Sequence, residues 1–171
     1  MPGDDDATFQ PMALGASRAL TAGEWSSLTP GLAKALRAVG AEPLIIARPA
    51  WAARAAALWR GGTPIMVIGR RIYWPDAPRD MSAPSSPQAM AVLQHELQHV
   101  LEYAAGELSV ARYVTGPRNW TYDYQLDAGS RWTDFGAEQR ASIVEHLWLI
   151  ERGLRADAEA GRLHRQVIPW A

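Results

Sequence analysis

One helix in this chain has to be buried on both of its faces if the two histidines it carries form a site, and that requirement constrains the fold more than any other feature. From Leu93 to Tyr103 the sequence reads LQHELQHVLEY, with His95, Glu96 and His99 in the spacing HExxH. Residues four apart on a helix point the same way, about 40° apart around the axis, so two imidazoles at this spacing can converge on one metal ion. Met90, Leu93, Leu97, Val100, Leu101 and Ala104 form an apolar stripe on the opposite side. The stripe predicts a core beneath the helix, and a metal site predicts a second layer over the histidines. The plain alternative is a pair of histidines hydrogen-bonded inside a packed helix pair.

Two neutral nitrogen ligands with a carboxylate beside them are the parts a zinc (Zn2+) hydrolase uses. Glu96 would take a proton from metal-bound water. The chain has no cysteine, so any metal must be held by His, Asp, Glu and water. A catalytic zinc site needs a third protein ligand. The extended pattern HExxHxxGxxH would place glycine at 102 and histidine at 105, but these positions are Glu102 and Ala105. The third ligand therefore comes from elsewhere in the chain. Glu138, in FGAEQRASIVEH near the start of the last long helix, fits best, with Glu145, His146, His164, Asp127 and Glu102 as alternatives. Glu145, two turns further along nearly the same face, could instead hold a histidine ligand's second nitrogen. Taken alone, His164 reads as an exposed histidine and His146 as a helix-surface or packing residue.

At 171 residues, 48% of them hydrophobic, the chain can bury one sizeable core but not two. Residues 1–16 are polar and acidic and read as a flexible lead-in to a single domain over 17–171. Thr21 and Glu24 make a capping box flanked by Leu20 and Trp25, and Thr29 with Pro30 starts a second helix that ends at Gly40. PLIIAR at 43–48 reads as a strand whose expected partner is PIMVIG at 64–69, with an alanine-rich helix over 51–60 between them. RRIYW at 70–74 is another strand, and 75–87 reads as a surface loop, or else as a wall of the cleft. Ser86 and Pro87 open the HExxH helix, which should stop at Gly106.

Beyond it, 107–135 is rich in aromatic residues and arginine, with one strand expected at Thr121–Leu126 from the alternation of Tyr122, Tyr124 and Leu126. The last long helix is expected over 137–156, with Ile143, Leu147, Ile150 and Leu154 as its core stripe.

Four blocks together, SRALTAGE at 17–24, HELQHVLEY at 95–103, YDYQL at 122–126 and FGAEQRASIVEH at 135–146, resemble a bacterial family of small zinc metallopeptidases. Its members are often called vgr-related, after genes linked to type VI secretion. The resemblance spans roughly 13–153, in the family's order, and departs from it over 26–60. It implies zinc ligands at His95, His99 and Glu138 with Glu96 catalytic, in an α+β, zincin-like single domain of the glutamate-zincin type. There, a small twisted sheet packs on the HExxH helix and the C-terminal helix supplies the third ligand. The expected activity is hydrolysis of a peptide or protein substrate. RRIYW is the candidate strand for holding an extended peptide, and Tyr122, Tyr124 and Arg131 are candidates for stabilising the oxyanion. The contrasting expectation is an accessory or docking module of a secretion or toxin system, with little or no proteolysis.

A net charge of −1, with both signs spread along the chain, gives no support to a nucleic-acid partner. No segment approaches the length of a membrane helix. The start MPGDDDATFQPM lacks the basic residues and apolar run of a secretory signal. The expectation is a cytoplasmic protein, with export by a signal-independent route left open.

Overall fold

The computed structural model describes residues 10–50, 64–83, 87–155 and 158–171. The helix expected over 51–60 and the residue expected to precede the HExxH helix, Ser86, lie outside the described residues. Along the chain the elements are β1 (Ser17–Ala19), α1 (Ala22–Ser27), α2 (Pro30–Ala38), β2 (Leu44–Ile46), β3 (Met66–Ile68), β4 (Arg71–Tyr73), α3 (Pro87–Ala104) and α4 (Val110–Thr115). A 3-10 turn at Trp132–Asp134 then leads to α5 (Ala137–Glu151) and α6 (Ala158–Val167). The architecture is α+β, with four strands in one mixed sheet and six α-helices among the described residues.

Strand order is β1-β2-β4-β3, with β1–β2 and β3–β4 antiparallel and β2–β4 parallel. The expected pairing of 43–48 with 64–69 is therefore replaced: β2 lies between β1 and β4, and β3 pairs with β4. The cause is local. Gly69 takes a φ of 62°, in the left-handed region that glycine adopts without strain, and with Arg70 it folds β3 directly onto β4. That hairpin uses the pairing edge of β4 nearest to β3. Ile45, Ile72 and Val67 align across three strands and point into the core, where α3 covers them. β1 supplies a strand where a lead-in ends. The lead-in itself is attached from residue 10 onward, since Pro11 bridges Pro78 and Met12 packs against the core.

The capping box at the start of α1 is complete: Glu24 N donates to Thr21 Oγ1 at 3.0 Å, and Thr21 N donates to Glu24 Oε2 at 2.8 Å. Glu24 is fully buried, and the carboxylate is offset by a two-pronged contact from Arg18 at 2.7 Å on each oxygen. It also accepts the Met81 N–H at 3.0 Å, which anchors the segment before α3. That segment is thus more than a surface connection, because Ala77 and Met81 are wholly buried.

In α3 every residue from Leu93 to Glu102 is buried. Met90, Leu93, Leu97, Val100 and Leu101 enter the core as the stripe predicts, while Ala104 at the helix end is exposed. α5 covers the other face of α3 and brings Ile143 and Leu147 into the same core. It ends at Glu151, five residues short of expectation, because Gly153 adopts a φ of 68° and donates its N–H to Ile150 O, while Leu154 N returns to Leu149 O. Leu154 consequently falls beyond the helix and is exposed, and Ile150 is half-buried.

The strand expected at Thr121–Leu126 does not form. Tyr124 and Leu126 pack against the core as the alternation implies, but among the described residues no strand lies alongside, and the backbone at Asp123 accepts from the Gln139 side chain instead. Within 107–135 the regular pieces are α4 and the 3-10 turn. No helix among the described residues is long and apolar enough to cross a membrane.

Candidate metal centre

Because α5 crosses the histidine face of α3, the carboxylate of Glu138 in its first turn arrives between the two imidazoles. Glu138 Oε2 lies 3.0 Å from His95 Nε2 and 3.5 Å from His99 Nε2. One ligand atom from each residue falls within 4.8 Å of the others, and all three residues are buried. Among the described residues this is the one cluster of three His, Cys, Asp or Glu side chains with that geometry.

The atoms facing away from the centre are held as well. His95 Nδ1 meets Glu145 Oε2 at 3.1 Å. Tyr113 O–H donates to Glu138 Oε1, leaving Oε2 as the oxygen turned to the histidines. On His99 the second nitrogen lies 3.8 Å from Glu102 Oε2, beyond hydrogen-bond range.

The residues present fit a divalent metal. When His95 donates its Nδ1–H to Glu145, its Nε2 lone pair is aimed at a carboxylate oxygen 3.0 Å away. Two acceptors at that distance repel unless a cation lies between them. Protons can fill that role. Burial alone would lower the pKa of His95, but the Glu138 and Glu145 carboxylates outweigh it and push it up to about 9. His99 is likewise pulled down by burial and pushed up, by Glu102, Glu138 and Glu96, to about 10. Glu138 is raised by burial but held well below the ordinary carboxylate range by the two histidines. A site that binds protons this tightly has the charge and donor set to bind a metal ion in their place.

Glu96 is buried beside the cluster, and no hydrogen bond among the described residues commits its carboxylate. Burial raises its pKa first, opposed by His95 and His99 and reinforced by Glu138 and Glu145. Raised basicity suits a group that must accept a proton and release it again.

The other predicted residues divide. Tyr122 stacks on His95, with ring centroids 6.1 Å apart and planes 21° from parallel, so it stands at the site. Tyr124 turns away from it: its hydroxyl lies between His146 Nδ1 and His164 Nε2, the latter at 2.8 Å. These three line a cleft of about 460 Å³ that Tyr122 also borders. Arg131 is committed to Asp134 and largely exposed, and Asp127 caps an exposed turn through Gly129 and Ser130. His164, expected to be exposed, is 5% exposed, because α6 folds it against α5. Tyr113 was not singled out. It sits in a short helix with no buried residue, and only the Ser109 N-cap signals that helix in the sequence.

In comparisons with protein-family models, curated proteins and solved structures, nothing matches this chain. The functional reading rests on the site itself.

Proposed function

We propose that the protein is a zinc-dependent metallopeptidase whose ligands are His95, His99 and Glu138. The observation that carries this reading is the arrival of Glu138 Oε2 from a second helix between the two Nε2 atoms of an HExxH pair, 3.0 and 3.5 Å from them. Zinc held there would supply an acidified water and polarise the scissile carbonyl. The Glu96 carboxylate, buried beside the cluster, would serve as the group that accepts a proton and returns it to the leaving amine. Glu145 keeps the His95 proton on Nδ1, and Tyr113 restricts Glu138 to one ligand oxygen. Tyr122, flat against His95, forms the wall beside the reacting centre.

RRIYW cannot add a substrate strand, because β4 is paired on both sides. Among the described residues the edge strand packed on α3 is β3, which replaces RRIYW as the candidate for pairing with an extended peptide. The test is elemental analysis of the parent, His99→Ala and Glu138→Ala, with peptide hydrolysis measured on the parent and Glu96→Gln. The reading expects about one zinc in the parent, loss of zinc in the first two variants, and zinc without hydrolysis in Glu96→Gln. A parent that takes up no zinc refutes it. Exposed Val110, Val114 and Trp120, close to the site in the chain segment that supplies Tyr113, favour a second reading, docking to a secretion or toxin component. Full biological function in a zinc-loaded, non-hydrolysing Glu96→Gln protein would select that second reading.

A further inference from the structure

Gln94, Gln98 and Glu102 follow each other at intervals of four along α3 and are all buried, to 0, 2 and 1% exposure. Such a polar stripe inside a core has to be accounted for bond by bond. Gln94 Oε1 accepts the Thr29 N–H at 3.2 Å. Gln98 Nε2 donates to Glu102 Oε1 at 3.0 Å, and Arg140 Nε, from α5, lies 3.1 Å from the same oxygen as an ion pair without hydrogen-bond geometry. Glu102 Oε1 is thus fixed from two helices. Its other oxygen has no hydrogen-bond partner, and neither does His99 Nδ1, 3.8 Å away. A buried acceptor and a buried ring nitrogen face each other with no other partner among the described residues.

We infer that Glu102, held in place by Arg140 and Gln98, is the positioning residue for His99. The carboxylate selects the tautomer. With the proton on Nδ1, His99 offers a donor to Glu102 and turns its Nε2 lone pair toward Glu138. With the proton on Nε2, the Nδ1 lone pair would face a carboxylate in a dry interior, and the ligand nitrogen would be blocked. Closing the gap from 3.8 Å to hydrogen-bond length takes a movement of only about 1 Å. Arg140 lies two residues from Glu138 on α5, so one helix carries both the ligand opposite His99 and the anchor of its positioning group. His99 is then oriented by its own helix and by α5 together, as His95 is by Glu145.

The inference rests on the proposed metal site, and the test separates the two. Zinc affinity is measured by competition with a chromophoric chelator for the parent, Glu102→Gln and Arg140→Gln, and the tautomer of His99 is read by 15N NMR in the zinc-loaded parent. The expected result is a 10–100-fold loss of affinity in Glu102→Gln, a smaller loss in Arg140→Gln, and a His99 ring in the parent that carries its proton on Nδ1, slow to exchange. A parent that binds zinc while Glu102→Gln binds it equally well overturns the role of Glu102 and leaves the metal site standing. A parent that binds no zinc overturns both. Should Glu102→Gln fail to fold, the parent's NMR decides: a fast-exchanging Nδ1 proton, or ligation through Nδ1, refutes the inference.

Discussion

Removing metal should give this protein a stability that falls as the solution becomes basic, and zinc should reverse that trend. In the metal-free chain His95 and His99 are held protonated by carboxylates, with pKa values raised from 6.5 to about 9 and about 10. Because the folded values lie above the unfolded one, this stabilisation is complete below about pH 6.5 and is lost as pH rises through 9 to 10. For His95, buried and 9% exposed at its side chain, the shift corresponds to about 3 kcal/mol at about 1.4 kcal/mol per pH unit. Both rings lean on the same Glu138 oxygen, so their contributions overlap, and about 3 kcal/mol is the scale for the cluster.

For a chain of this size that is a fall of roughly 6–12 °C in Tm. The assay is thermal unfolding followed by circular dichroism from pH 6 to pH 10, in chelator and in excess zinc, for the parent and Glu138→Gln. In chelator the parent should lose those degrees, while Glu138→Gln, which lacks the shared charge, should lose only a fraction of them. In zinc the parent should gain stability with pH over the lower part of the range, because the metal competes with the same protons. A metal-free parent whose Tm is flat or rises relative to Glu138→Gln across this window would refute the charge cluster as described.

Three further outcomes follow from single contacts. Tyr113→Phe frees Glu138 Oε1 and should weaken zinc binding by roughly ten- to a hundredfold, since a hydrogen bond to a charged group is worth about 1.5–3 kcal/mol; an unchanged Kd by chelator competition would show that Tyr113 does not hold Glu138. Leu97→Ala, at a wholly buried site between the sheet and α5, should cost about 2–5 kcal/mol in a denaturant titration, and a loss well under 1 kcal/mol would contradict its place in the core. Burial, then Arg155, lowers the pKa of His146 to about 4, so its neutral form contributes stability above about pH 6.5 that is lost as pH falls toward 4. His146→Gln should flatten the metal-free Tm curve when it is extended from about pH 7 down to about pH 4, and an unchanged curve over that range would contradict that assignment.

Four of the six described helices, α1, α2, α3 and α5, were legible because their signals are local, whereas α4 and α6 were not. The box of Thr21 with Glu24, the proline at position 30 and the stripe from Met90 to Leu101 each act within one helix, and each has its counterpart in the structure. Sheet pairing is a different kind of information. Each strand is three residues long, and three residues carry almost no record of which neighbour they will meet. The partner of PIMVIG was decided by the turn at Gly69, and a strand at Ser17–Ala19 had too little apolar pattern to be noticed. Alternation over Thr121–Leu126 encoded which side chains turn inward, but a ladder also needs an open sheet edge alongside, and none lies there among the described residues.

At the site the same distinction separates ligands from the groups that orient them. HExxH fixes where the two Nε2 atoms point, and excluding a histidine at 105 sends the search for a third ligand to another helix. Glu138 and Glu145, seven residues apart, share nearly one face, so placing the first at the Nε2 atoms carries the second toward the far side of His95. Tyr113 has no such link, because its element has no buried face of its own and is aimed at Glu138 by the loop around it. By residue type Glu102 is a candidate ligand, but its position three residues after His99 bears on where its carboxylate can reach. A side chain at that offset on the same helix reaches the Nδ1 edge of the imidazole, while Nε2 projects away from the helix toward α5. The spacing that keeps Glu102 out of the His95, His99 and Glu138 cluster is therefore the spacing that places its carboxylate beside His99 Nδ1. A buried carboxylate three residues after the second histidine of an HExxH helix is best tested as an orienting group before it is tested as a ligand.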